Sequence, residues 1–130
     1  MIVEAFVSHL KANAPLMALC RWIYPHEIPK ETEPPALVFA LDEDERIQTL
    51  AGQAAYRQAL MSVDCYTLRE LDSHSLADAV ESALIGFRGT FGTTSPIIDV
   101  DHIRLERRFS DKETSTGFYR VSMQFFIGYE

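Results

Sequence analysis

Cys65, His102 and Asp64 are the side chains from which a nucleophilic site could be assembled. A thiol needs a base to take its proton and a carboxylate to orient that base. The segment Arg57–Tyr66 alternates as a β-strand, so neighbours Asp64 and Cys65 point to opposite faces and cannot line one pocket without distortion. Cys65 therefore reads as a core thiol and His102 as a surface or strand-edge residue. His9, His26, His74 and His102 show no ligand spacing with one another or with the cysteines, so a zinc site has no support. The run Asp42-Glu43-Asp44-Glu45 offers oxygen ligands for a hard cation, but lacks the spacing and glycine of a calcium loop. It reads as the solvated arm of a hairpin, or as an acidic surface that mates with a basic one on another subunit. GxGxxG, GxxxxGK[ST], HExxH, GxSxG and CxxC are all missing from the sequence. The expectation is a protein with no catalytic residues, no cofactor and no metal.

Composition fits that expectation. A chain of 130 residues is of common size for one domain, here spanning 1–130, and buries roughly two-thirds of its unfolded surface. Hydrophobic residues make up 47%, too many for a disordered tail. No apolar run approaches the ~20 residues of a membrane helix. Glu4, His9 and Lys11 interrupt the N-terminal apolar residues, which argues against a signal peptide and for the cytoplasm. Cys20 and Cys65 are then read as free buried thiols. The formal net charge of −7 argues against tight binding to a nucleic-acid backbone, and suits a surface along which DNA passes without sticking.

The elements that must position these groups are legible from periodicity. Leu76, Ala79, Val80, Ala83, Leu84 and Phe87 form a helical stripe, opposite Asp78, Glu81, Ser82 and Arg88. That helix starts between Leu71 and Ser75 and stops at Gly86 and Gly89. The strand before it sets Ala59, Met61, Val63 and Cys65 on one face. Ile2–Ala12 is a second helix, with Ile2, Ala5, Phe6, His9 and Leu10 on one side, and a short helix over Leu16–Cys20 follows Pro15. Arg21–Pro25 is a short extended piece, and the proline-rich 26–35 a loop. Leu37–Leu41 is a strand that continues through the acidic run into a long hairpin with its tip near Ala51-Gly52. Thr90–Pro96 is a linker. Ile97–Phe109 is a strand with a bulge or late start near Asp101. Phe118–Tyr129 alternates cleanly, with Tyr119, Val121, Met123, Phe125, Ile127 and Tyr129 on one face.

The fold class is α+β: one mainly antiparallel sheet of about four strands, helices packed on one face, and a projecting β-hairpin. Trp22, Tyr24, Phe118 and Phe126 are aromatics outside the core stripes; they read either as sheet cover or as subunit contacts. The contact candidates are Asp42, Glu43, Asp44, Glu45, Arg46 and Tyr56 on the hairpin, with Phe118, Arg120 and Phe126 on the face of the last strand that the helices leave open.

Nearly the whole chain resembles one family. The pieces are IYP at 23–25, PPALVFAL at 34–41, TLAG at 49–52, VDCY at 63–66, LADAVESALIGFRG at 76–89 and TGFYRVSMQFFIGYE at 116–130. In this order they resemble the small tail-completion, or tail-terminator, proteins of long-tailed phages and prophages. The resemblance implies an α+β subunit that assembles with itself into a ring, commonly a hexamer, on the head-proximal end of the tail tube. There it stops tube growth and meets the head–tail connector protein, while DNA passes through the lumen unread. It implies a structural role in the virion tail, assembled in the host cytoplasm, with no membrane and no catalytic residues. The acidic DEDER start of the hairpin and the long stretch between Tyr66 and Leu76 depart from the family pattern, and bear on which partner surface is matched. Two other readings stand beside it: a small cytoplasmic enzyme or ligand-binding domain, and a connector stopper or tube-like subunit on a similar fold.

Overall fold

Ala59, Met61, Val63 and Cys65 are fully buried, while Gln58, Leu60, Ser62 and Asp64 between them are only partly covered. The alternation of the sequence is thus the alternation of the structure, and it decides which face of the sheet the helices cover. The computed structural model describes residues 2–20, 22–29, 32–49, 52–91 and 98–130, with the backbone alone for 46–49 and 52–56. In chain order the elements are α1 (Ile2–Lys11), α2 (Ala14–Leu19), β1 (Ile23–Pro25), β2 (Ala36–Thr49), β3 (Gly52–Thr67), α3 (Glu70–Leu84), β4 (Gly89–Phe91), β5 (Ile98–Lys112) and β6 (Tyr119–Tyr129).

The sheet has six strands in the order β1-β2-β3-β6-β5-β4 and curls toward a half-barrel. β1 runs parallel to β2, and every other pairing is antiparallel. This corrects the expectation of a mainly antiparallel sheet of about four strands. The four long strands were all legible. The two additional ones, β1 and β4, have three residues each, too few to display a period of two. β1 also ends in a proline, and β4 starts on Gly89, one of the two glycines read from the sequence as the helix stop.

Two helix starts and one buried position differ from the sequence reading. α3 begins at Glu70, one residue before the expected window of Leu71 to Ser75, behind Arg69, whose extended backbone caps the helix without a side-chain bond. Glu70 and Asp72 supply negative charge to its first turn, where the helix dipole favours it. Ala77, rather than Ala79, joins Leu76, Val80, Ala83 and Leu84 among the fully buried residues. α2 begins at Ala14, with Asn13 accepting a hydrogen bond from the Leu16 amide at 3.0 Å. Gly86, at φ +78°, takes the left-handed turn that follows α3. The tip of the hairpin near Ala51 and the linker residues 92–96 lie outside the described residues.

β5 explains why its alternation looked imperfect. Its pairing with β6 slips between Val100 and His102 and again between Leu105 and Arg107. The first bulge moves the core-facing set from Ile98 and Val100 to Ile103 and the partly buried Leu105. The second turns Arg108 toward α3, where it donates to Asp78 at 2.9 Å and to Glu81 at 2.7 Å.

One core joins α1, α2, α3 and the inner face of the sheet. Each fully buried Leu, Ile, Phe or Met contributes roughly 1.5–3 kcal/mol. An exposed ion pair contributes about 0–1 kcal/mol. Burial on the inner face therefore fixes the architecture, and the helices leave the opposite face uncovered.

Candidate functional site

The face of the sheet away from the helices is built from rows of side chains that cross four strands. The pairing register aligns Glu43, Leu60, Phe126 and Arg104 in one row. Glu45, Gln58, Gly128 and His102 form the next. On the other side of the first row come Ala40, Ser62, Gln124 and Arg107, then Val38, Asp64, Ser122 and Phe109, then Ala36, Tyr66, Arg120 and Asp111. Period-two geometry places each row on this one face.

The rows are knitted by polar contacts. Asp42, the extra residue at the bulge between Leu41 and Glu43, accepts hydrogen bonds from Ser62 and from Gln124, the latter at 3.1 Å. Ser122 donates to Asp64 at 2.6 Å. Arg120 binds Asp111 through both Nε and Nη2, at 2.9 and 2.5 Å. This fork holds the Asp111 carboxyl below its ordinary range, and burial pushes the nearby Tyr66 hydroxyl up. The Phe126 ring lies under the Arg104 guanidinium, 4.4 Å from its centroid, and stacks with His102 at 5.9 Å.

Of the contact candidates read from the sequence, Asp42, Glu43, Glu45, Arg120 and Phe126 share this face. Asp44 does not. Its partner in β3 is the buried Ala59, so it points to the helix side, accepting from Tyr129 at 2.6 Å and from Arg57 at 3.3 Å. The acidic run is therefore split between the two faces of the sheet. Phe118 lies just before β6 and lines an open hollow of about 620 Å³ with Ile28, Pro29 and Tyr66. The side chains of Arg46 and Tyr56 lie outside the described residues.

The nucleophile constellation does not form. Cys65 is buried under the helices, Asp64 is on the opposite face with Ser122, and His102 sits on β5 with Asp101. Burial pushes the Cys65 thiol well up, away from the thiolate a nucleophile needs. Cys20 and Cys65 are free thiols. Among the described residues, no three of His, Cys, Asp and Glu converge as a metal site, and no helix is long and apolar enough to cross a membrane.

A second surface escaped the sequence reading. Leu71 is 75% exposed, Trp22 57% and Leu68 55%. Leu19 and Leu68 flank a hollow of about 380 Å³ with Pro34 and Pro35, where α2 ends and α3 begins. Only the ends of elements contribute, so no period reveals it. Of these residues, Trp22 alone had stood out as an aromatic outside the core stripes.

Comparison with known proteins completes the description. The family described as tail completion protein gp17 matches residues 4–130. A solved structure titled as the virion of a native gene transfer agent particle contains a chain of the same fold. The TM-score is 0.64 at 17% identity, over 97% of this chain and 91% of that one. No curated protein sequence matches.

Proposed function

This chain belongs to the tail completion protein gp17 family, with a structural role in a phage-like tail, and on that premise we propose that it is the terminator ring of the tail. Residues 1–130 act as one domain. Copies of it, six in the ring, cap the head-proximal end of the tail tube and present the opposite surface to the head–tail connector protein. The role is structural, without catalysis.

The observation that carries this reading is the sheet face that the helices leave open. Its five rows combine charge, aromatic rings and a hydrogen-bonded lattice, the mixture found at protein–protein contacts. The apolar end at Leu19, Leu68 and Leu71 supplies a separate contact, suited to a tube or connector subunit. A net charge of −7 suits a ring through which DNA slides, since a basic lumen would hold the phosphates.

Purified protein mixed with its cognate tail-tube protein tests the proposal. Rings seated at one end of the tubes, seen by negative-stain electron microscopy, are the expected result. Tubes that keep growing in its presence, with the protein monomeric at high concentration, would overturn it.

A further inference from the structure

We propose that the open hollow of about 620 Å³ beside Phe118 is the docking groove for an extended segment of another tail protein, one that carries arginine or lysine beside apolar residues. This rests on the open face being a subunit contact, and names the chemistry of what one end of that face takes.

The hollow stands at the end of the open face where β3 stops and β6 starts. Ala36 and Val38 belong to the rows of that face, yet they are only 0% and 4% exposed. The segment between β1 and β2, described over 26–29 and 32–35, therefore folds over this end, and Ile28, Pro29 and Glu33 form one wall. The turn between β5 and β6 forms the other wall, with Glu113 and Phe118. That turn is fastened across its base. The Glu113 amide donates to the Phe118 carbonyl at 2.8 Å, and the Gly117 amide to the Glu113 carbonyl at 2.8 Å. Tyr66 lies between the walls, in the row of Ala36 and Arg120. Walls already set in place leave little to be ordered when a partner binds.

The rim of the groove is acidic. Glu27, Glu33 and Glu113 line it, and among the described residues no lysine or arginine does. None of these three carboxylates has an ion-pair partner among the described residues. Arg120 donates to the Tyr66 hydroxyl at the floor, but its Nε and Nη2 are held by Asp111. The charge of Arg120 is thus matched within the sheet, and the carboxylates of the rim keep theirs.

An apolar floor under an acidic rim selects the occupant. Lysine and arginine carry an apolar stem and a charged head. The stem suits Ile28, Pro29 and the Phe118 ring, while the head meets the carboxylates and the rings of Phe118 and Tyr66. A bare metal ion does not suit the groove, because among the described residues no three carboxylate, imidazole or thiol groups converge to hold one. A nucleic-acid strand would be repelled by the same carboxylates. The hollow is open to solvent, so it admits a length of chain rather than enclosing a small molecule.

Titration with the peptide acetyl-Ala-Arg-Pro-Arg-Ala-amide, followed by backbone amide NMR, tests the groove. Saturable shifts centred on Glu33, Tyr66, Glu113 and Phe118 are expected. Glu33→Gln with Glu113→Gln should weaken the peptide by about tenfold or more, since both carboxylates face its cations. Glu70→Gln with Glu130→Gln removes the same charge elsewhere and should leave the affinity within about twofold, because distant exposed charges are screened. Cooperative melting shows that each variant folds. Shifts centred elsewhere, equal losses in the two double variants, no saturation at millimolar peptide, or equal binding by the glutamate counterpart of the peptide would overturn the proposal. Oligomers of the protein alone that dissociate only in Glu33→Gln with Glu113→Gln would assign the groove to a second copy, and overturn it as well. Rings that seat on tubes while the groove fails these tests leave the ring reading standing. A groove that binds the peptide in a protein that never forms rings would overturn the ring reading alone.

Discussion

The Tyr129 hydroxyl donates to Asp44 Oδ1 at 2.6 Å, and Arg57 donates to the other oxygen of the same carboxylate at 3.3 Å. Through this relationship a member of an acidic run becomes part of the helix side of the sheet, tying the end of β6 to the base of the hairpin. Burial, then the neighbouring carboxylate, pushes the Tyr129 hydroxyl well up, so it stays a donor at any working pH. Tyr129→Phe should therefore cost about 1 kcal/mol, the net value of one hydrogen bond, read as a shift in the urea midpoint. A variant as stable as the parent would show that the contact is incidental.

His9 gives a second case. Its ring lies 4.3 Å from Phe87 and 4.4 Å from Phe91, and Nε2 sits 2.8 Å from the Ala83 carbonyl. A carbonyl only accepts, so Nε2 carries the hydrogen. His9 thereby ties α1 to the end of α3 and to β4. His9→Ala should destabilise by about 2–3 kcal/mol, combining lost ring packing with an orphaned carbonyl. His9→Phe should recover the packing share only. Thermal melts of the two variants, compared with the parent, separate these contributions.

Cys65 should behave as a core residue. Burial raises the pKa of its thiol, so the folded state favours the protonated form. That share of stability is complete below the ordinary thiol value, near 9.0, and is lost as pH rises beyond it. Labelling with a thiol reagent at pH 8 should proceed only as fast as the protein unfolds. Rapid labelling of the native protein at Cys65 would contradict this.

The Arg120–Asp111 fork has the opposite sign. The guanidinium lowers the Asp111 pKa, so its contribution is present above the ordinary carboxylate value, near 3.8, and disappears as pH falls through the lowered one. Asp111→Asn should flatten the acid limb of the stability profile and leave neutral stability nearly unchanged, since the pair is largely solvated. Denaturation curves at pH 3 and pH 7 provide the check.

Much of this molecule can be read from spacing alone. The β3 stripe of Ala59, Met61, Val63 and Cys65, the β6 stripe from Val121 to Tyr129, and the α3 stripe around Leu76 and Val80 each repeat long enough for burial to leave its period. Separation of Asp64 from Cys65 follows from the same alternation. The disturbed pattern of β5 left a bulge or a late start near Asp101 open, and the structure has the bulge.

Tertiary structure decided the rest. β1 and β4 exist because neighbours offer them backbone partners, and three residues of sequence hold no trace of that. Asp44 turns inward while Glu43 and Glu45 turn outward because a bulge resets parity inside the run; four consecutive acids look alike until a partner strand assigns each a side. The rows joining Glu43 to Arg104 span residues 61 positions apart, aligned only by the register of three strand pairs. Local periodicity records which side of an element meets the core. Which edges stay open, and which charges stand at them, depends on contacts distant in sequence, and there the structure alone speaks.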